Sequence, residues 1–116
     1  MRDFRKLEVW KESVLFVKAI YELTNLFPST EKFGLSSQIQ RAAVSVPSNL
    51  AEGCSRNSSA EFVRFIEISI GSAFEIETQM EIALELNYIN LDNYQKTLSN
   101  LHIIQRKLNA LRTSIK

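Results

Sequence analysis

The second predicted helix carries a row of polar side chains whose types and spacing could support chemistry. Five residues follow one another at intervals of 4, 4, 3 and 4, namely Arg41, Ser45, Asn49, Glu52 and Arg56, and this spacing places them on one face of a helix. A guanidinium binds carboxylates and phosphates with the same forked geometry. The stripe has two interpretations. The structural one is an internal polar network or a subunit seam, in which Arg41 and Arg56 pair with glutamates. The functional one is a site where the two arginines bind a ligand or an RNA phosphate. We favour the structural interpretation.

Two residues of the next predicted helix extend this candidate set. Ser72 directly follows Gly71, and Glu75 lies about one helical turn further on. Because a glycine lets a neighbouring backbone approach closely, we expect Ser72 and Glu75 to stand at a close helix contact. The other glutamates of this segment are interpreted as a solvated acidic face.

Metal and nucleophile chemistry lack the residues they need. A di-iron site in a bundle requires two Glu-x-x-His pairs and two further carboxylates, whereas the chain has one histidine, His102, without a glutamate three residues before it. One histidine and one cysteine, Cys54, are also too few for zinc. No glycine-rich elbow, phosphate-binding loop or dinucleotide fingerprint is present. We predict no catalytic activity, metal or cofactor, with Cys54 a packing residue and His102 a surface or boundary residue.

The composition is typical of one folded domain. The 116 residues are 45% apolar and 23% charged, with three glycines and two prolines, which favours a few long helices in one domain over residues 1–116. The single cysteine fits a reducing compartment. The first residues mix charges without an apolar run, and the longest charge-free run has ten residues, about half of a membrane span. We expect a cytoplasmic protein without membrane contact.

The charges are nearly balanced overall but unevenly distributed. A formal net charge of +1 argues against a strong nonspecific grip on nucleic acid, which needs a basic face. Residues 58–90 carry one positive and six negative charges, and residues 91–116 carry five positive and one negative. We interpret the two segments as neighbouring antiparallel helices with complementary flanks. A basic surface for RNA on the last segment is the alternative.

Apolar periodicity predicts an all-α fold, an antiparallel up-down-up-down four-helix bundle. The predicted helices span about residues 4–26, 35–55, 58–86 and 92–115. Pro47 lies within the second helix, where it removes a backbone donor. Because the apolar period continues across it, we predict a kink at Pro47 rather than a break.

Terminal signals support these boundaries. Pro28 ends the first helix, because the residue before a proline avoids the α conformation. Ser58 and Glu61 form a capping-box pattern at the start of the third helix. Asp92 with Gln95 offers a similar cap for the fourth.

The first helix carries two apolar stripes. The stripe with the spacing of a bundle seam consists of Leu7, Trp10, Val14, Val17, Tyr21 and Thr24. The second stripe, beside it, consists of Val9, Phe16, Ile20, Leu23 and Phe27. A helix with two apolar stripes needs partners on two sides, so we expect self-association in addition to an internal core.

Several segments together resemble one protein family. They are F-G-L at residues 33–35, R-A-A-V-S-V-P-S-N-L-A-E-G at residues 41–53 with Arg56, and F-V-R-F-I-E-I-S-I-G-S at residues 62–72 with Glu75. The opening F-x-x-L-x-V-W at residues 4–10 and the stretch at residues 21–28 fit as well. The chain resembles, over nearly its whole length, the bacterial four-helix-bundle proteins encoded in intervening sequences of 23S ribosomal RNA genes, which are also called ribosomal proteins.

The resemblance implies a homo-oligomer, a ring-like pentamer, of unestablished molecular function. A structural relative of the family, the accessory protein of diversity-generating retroelements, is a basic bundle that binds nucleic acid and a reverse transcriptase. This chain lacks that basic excess. Two hypotheses follow: an oligomeric, non-enzymatic accessory of RNA or of an RNA-processing protein, or a purely structural assembly module without a nucleic-acid role. A small enzyme or ligand-binding bundle built around Glu52 and Glu75 is a third, less favoured one.

Overall fold

The chain forms four long helices and no strand over residues 2–115, the part that this computed structural model describes. The helices are α1 (Glu8–Thr24), α2 (Leu35–Cys54), α3 (Ser59–Glu85) and α4 (Leu91–Ser114). Short 3₁₀ helices, Phe4–Lys6 and Ser29–Glu31, precede α1 and α2. The predicted all-α class is confirmed. Over the same residues, no helix combines the length and the apolar character that crossing a membrane requires.

The helices pack in chain order around one core. Each helix contacts the next, and α4 closes on α1. Within the described part of the chain the diagonal pairs, α1 with α3 and α2 with α4, do not approach each other closely. This is the packing of a four-helix bundle, as predicted, and the closest association is that of α2 with α3.

Both apolar stripes of α1 contribute to the core, and the stripe expected to be surplus is the more buried of the two. The stripe expected to be surplus faces the core, since Val9, Phe16, Ile20, Leu23 and Phe27 are all buried. In the stripe expected to be the seam, Val14 and Tyr21 are 42% and 45% exposed. The buried face includes Ser13 and Thr24, whose hydroxyls donate to main-chain carbonyls one turn earlier at 2.9 and 3.1 Å. Polar residues satisfied in this way can line a core. Thr24 belongs to the predicted seam stripe, whereas Ser13 belongs to neither stripe.

The predicted cap of α3 is confirmed and that of α4 is wrong. Ser58 Oγ accepts the backbone N–H of Glu61 at 3.1 Å. At α4 the capping side chain is that of Asn90, whose Oδ1 accepts the N–H of Asn93 at 2.8 Å. Because α4 begins at Leu91, Asp92 already lies within its first turn.

Pro47 lies inside α2, which continues unbroken to Cys54, and the proline is buried. The expected break-free helix is therefore observed. The kink at Pro47 stays a prediction.

The acidic α3 and the basic α4 are neighbours, as their charges predicted. Arg112 lies 3.7 Å from Glu67, and His102 lies 3.5 Å from Glu77. Tyr94 donates a hydrogen bond to Glu81, and this bond raises the pKa of Tyr94 to about 12. These exposed contacts orient the two helices more than they stabilise them.

Candidate functional site

Along the seam between them, α2 and α3 approach each other closely at Gly53. A Cβ at this position would lie 2.7 Å from the Cβ of Phe65 and 3.1 Å from Cδ1 of Phe62. Only a glycine leaves room for α3 here. Further along the seam, the buried hydroxyl of Ser69 donates to the carbonyl of Val46 at 2.9 Å.

Three of the predicted site residues form one hydrogen-bond network across this seam. The hydroxyls of Ser45 and Ser72 are 2.8 Å apart. Asn49 Nδ2 donates to the carbonyl of Ser45 at 2.8 Å and to its Oγ at 2.9 Å. All three residues are half-buried. The centre of the stripe is thus an internal polar network that links the two helices.

Glu52 and Arg56 form a separate pair at the end of the stripe. Their closest charged atoms are 3.9 Å apart, with side chains 54% and 42% exposed. The guanidinium of Arg56 also lies over the ring of Phe65, 4.9 Å from its centroid. Such a solvent-screened ion pair contributes little to stability, so the aromatic contact is the main restraint on Arg56.

Arg41 and Glu75 are not joined to the network. Ser45 meets Ser72 in antiparallel helices, so Arg41, one turn before Ser45, and Glu75, about one turn after Ser72, lie at the same end of the seam. Both are exposed. Among residues 2–115 neither forms an ion pair within 4 Å. Of the close helix contact expected at Ser72 and Glu75, the structure shows the part at Ser72, which meets Ser45. Over the described residues, a Cβ at Gly71 would meet nothing within 4 Å, whereas one at Gly53 would.

Arg2 is a contact residue that no sequence pattern indicates. Its backbone N–H donates to the carbonyl of Cys54 at 3.1 Å, and its guanidinium lies 4.4 Å from the ring centroid of Phe62. Arg2 stands outside every helical pattern, so periodicity carried no signal for it. Cys54 beneath it is 1% exposed, and burial raises the pKa of its thiol, which suits the predicted packing role rather than a nucleophile.

His102, the other residue considered for chemistry, contacts Glu77 on α3. The described side chains include no group of three His, Cys, Asp or Glu residues that could hold a metal ion.

An apolar groove runs between α1 and α4, on a different face from the polar stripe. It encloses about 320 Å³ and is lined by Glu12, Leu15, Phe16, Ala19, Asn100, Ile103 and Ile104. Leu15 is 68% exposed and Ile103 is 38% exposed. The apolar pattern of the sequence does not indicate this groove, because Leu15 belongs to neither apolar stripe of α1.

A lysine crosses one end of the groove. Lys107 on α4 donates to Glu12 and, at 3.0 Å, to Glu8 on α1. Hydrogen bonds to these two carboxylates raise the pKa of Lys107, and Lys107 in turn lowers the pKa of Glu8. The second carboxylate oxygen of Glu12 is buried and, among the described residues, has no hydrogen-bond partner. The groove thus presents apolar side chains together with one unsatisfied acceptor.

Comparisons with known proteins agree with this architecture. Residues 5–110 match the family model described as 23S rRNA-intervening sequence protein. A crystal structure of a protein of unknown function from the S23 ribosomal protein family of Bacteroides thetaiotaomicron is similar, with a TM-score of 0.83 and 23% identity over 91% of this chain and 96% of that chain. At this identity the likeness shows the fold alone. A search of curated proteins finds no match. The chain belongs to the 23S rRNA-intervening sequence protein family.

Proposed function

We propose that this protein is a non-enzymatic assembly protein of the cytoplasm, which associates with copies of itself into a ring of five chains. The observation that carries the proposal is the exposed apolar groove between α1 and α4. The number of five chains comes from the family resemblance. The groove supports self-association with any number of chains.

The groove has the character of a protein contact. Leu15 projects from α1 beside Ala19, and Ile103 faces it from α4. Contiguous exposed apolar surface of this kind marks interaction sites in soluble proteins, whereas isolated exposed residues do not.

Leu15→Glu tests this proposal. We expect the variant to associate at least tenfold more weakly than the unmodified protein, about 1.4 kcal/mol per tenfold, because a charge would be desolvated in the contact. Its folding should be little changed, since Leu15 is 68% exposed. The measurement is the mass by light scattering over a dilution series.

Leu26→Glu is the matched control, because Leu26 is 60% exposed and lies beyond the end of α1, away from the groove. It should assemble like the unmodified protein. Equal assembly by both variants would contradict a role for the groove.

A second candidate function, RNA accessory, is supported by Arg41. This arginine is exposed and, over residues 2–115, has no carboxylate within 4 Å. Arg41 lies on α2 one turn before Ser45, whose hydrogen bond to Ser72 joins this part of α2 to α3. A guanidinium placed in this way is available to a phosphate. In a ring, five such arginines would act together.

Arg41→Ala should weaken binding to structured ribosomal RNA fragments severalfold and reduce the slope of log affinity against log salt by about 0.7–1 for each phosphate that Arg41 neutralises. Binding is measured at two or more salt concentrations. Arg64→Ala is the control, since Arg64 is an exposed arginine on α3. Equally weakened binding in both variants would indicate general charge rather than a site. An unmodified protein that ignores RNA at low salt would leave the purely structural assembly module.

A further inference from the structure

Among residues 2–115, no contact explains why position 71 is a glycine. It lies in the middle of α3, is exposed and has no positive φ. In the part of the chain that the structure describes, a Cβ at Gly71 would meet nothing within 4 Å, whereas one at Gly53 would meet Phe65 and one at Gly34 would meet Glu31. A glycine in an exposed helix interior is among the least favourable choices for that helix. Its bare backbone therefore suits a contact made from outside the chain.

The side chains around Gly71 form a notch. Ile68 and Phe74, three residues to either side, are 41% and 55% exposed. Glu67 and Glu75, four residues to either side, are exposed as well. Positions three and four apart are neighbours on a helix surface, so these four residues surround the bare backbone. We call this surface the Gly71 notch; it has two apolar and two acidic walls.

We propose that the Gly71 notch of one copy packs on the α1–α4 groove of the next copy, with Leu15 entering the notch and Phe74 entering the groove. This inference rests on the proposed self-association and specifies its geometry. A side chain received by four residues of a facing helix is the usual unit of close helix packing. Leu15 and Phe74 are the most exposed apolar residues of α1 and α3, respectively.

The charges of the two surfaces are complementary. α3 carries six acidic residues and one basic residue, while α1 and α4 together carry six basic and four acidic. Lys11 and Lys18 lie one turn to either side of Leu15, and Arg106 lies one turn after Ile103. All three are exposed, and within the described part of the chain none has a carboxylate within 4 Å. The acidic walls of the notch would meet this basic rim.

The same charges disfavour the symmetric alternative. Packing notch against notch would bring Glu67 and Glu75 of two copies together, and like charges at a contact repel. A notch-to-groove contact joins two different surfaces, so each copy contacts one neighbour through its notch and another through its groove. Such a head-to-tail contact generates a ring when the rotation between copies closes. α3 and α1 are diagonal in the bundle, so both surfaces can be used at once.

A mixing experiment tests the head-to-tail contact. Gly71→Gln blocks the notch and leaves the groove intact, and the open space at Gly71 lets the chain fold. Leu15→Glu blocks the groove and leaves the notch intact. Each variant alone should sediment as a single chain of 13.3 kDa. The mixture should form a 1:1 complex, because one productive contact remains. Sedimentation equilibrium is carried to high concentration, since a single contact lacks the avidity of a closed ring.

The matched control is Ala60→Gln, which adds the same side chain at an exposed position three turns earlier on α3 and should assemble like the unmodified chain. If Gly71→Gln assembles fully while Leu15→Glu does not, the Gly71 notch is not part of the contact. The proposed self-association through the groove would still stand. A mixture without a 1:1 complex would overturn the head-to-tail pairing. A monomeric unmodified protein would overturn both this inference and the proposed function.

Discussion

Replacing Gly53 by valine is expected to lower the free energy of unfolding by about 3 kcal/mol, at the upper end of overpacking effects. The added Cβ would lie 2.7 Å from the Cβ of Phe65, an atom fixed to the α3 backbone that no rotamer change can move. The next atom, Cδ1 of the fully buried Phe62, is 3.1 Å away. The two helices would have to separate at this close contact. Urea unfolding followed by circular dichroism measures the change.

The control for Gly53→Val is Gly71→Val, the same substitution in the next helix. Gly71 has open space around it, and valine is intrinsically a better helix former than glycine by a few tenths of a kcal/mol. We expect a small gain in the free energy of unfolding. Both variants are made in the Leu15→Glu background, because assembly otherwise contributes to apparent stability. Similar destabilisation at the two glycines would contradict the account of the α2–α3 seam.

Phe62→Ala is expected to lower the free energy of unfolding by about 3–5 kcal/mol. Phe62 is 0% exposed, packs against Gly53 and supports the guanidinium of Arg2 at 4.4 Å. Its removal would leave a cavity where α2, α3 and the N-terminal segment meet. The measurement is again urea unfolding, with the midpoint and the slope compared between variants.

Phe74→Ala is the control for Phe62→Ala, because it removes the same type of side chain from an exposed position instead of a buried one. Phe74 is 55% exposed, so in the Leu15→Glu background its truncation should change the free energy of unfolding by about 0.5 kcal/mol or less. In the unmodified background the same truncation should weaken assembly. A large decrease in chain stability from Phe74→Ala would show that this residue belongs to the core rather than to a contact surface.

Under this proposal, different side chains stabilise the fold and form the contacts between copies. The small residues and the hydroxyl network of the α2–α3 seam hold the chain together, with Ser45, Asn49 and Ser72 at its centre. Arg41 remains on the outside of that seam. The α1–α4 groove lies on a different face, whereas the Gly71 notch borders the seam, since Gly71 directly precedes Ser72 on α3. Under this proposal, substitutions in the groove would abolish assembly without touching Arg41.

The helices themselves were predictable because their signals are local. Ser58 caps α3 by a bond to a residue three positions away, and Pro28 and Gly34 act on their immediate neighbours. The cap of α4 was misplaced by two residues because Asn90 and Asp92 are both good caps. Only the position of the turn, with Asn87 at a φ of 61°, decides between them.

The contacts across helices were less predictable because they depend on rotation. On α1 two stripes were both largely apolar, and the choice between them depended on where α2 and α4 pack. The polar stripe on α2 was found as a row, but its spacing could not say that Ser45 and Ser72 bond while Arg41 remains outside. Arg2 and Leu15 had no periodic signal at all. Their roles follow from neighbours distant in sequence, Phe62 and Ile103.

The most direct measurement is the mass of the unmodified protein in solution, by size-exclusion chromatography with light scattering over a range of concentrations. Self-assembly predicts a discrete species at five times the 13.3 kDa of one chain, which dissociates in Leu15→Glu. A mass of 13.3 kDa at every concentration would contradict the proposed function, because the groove would then have no second copy to cover it.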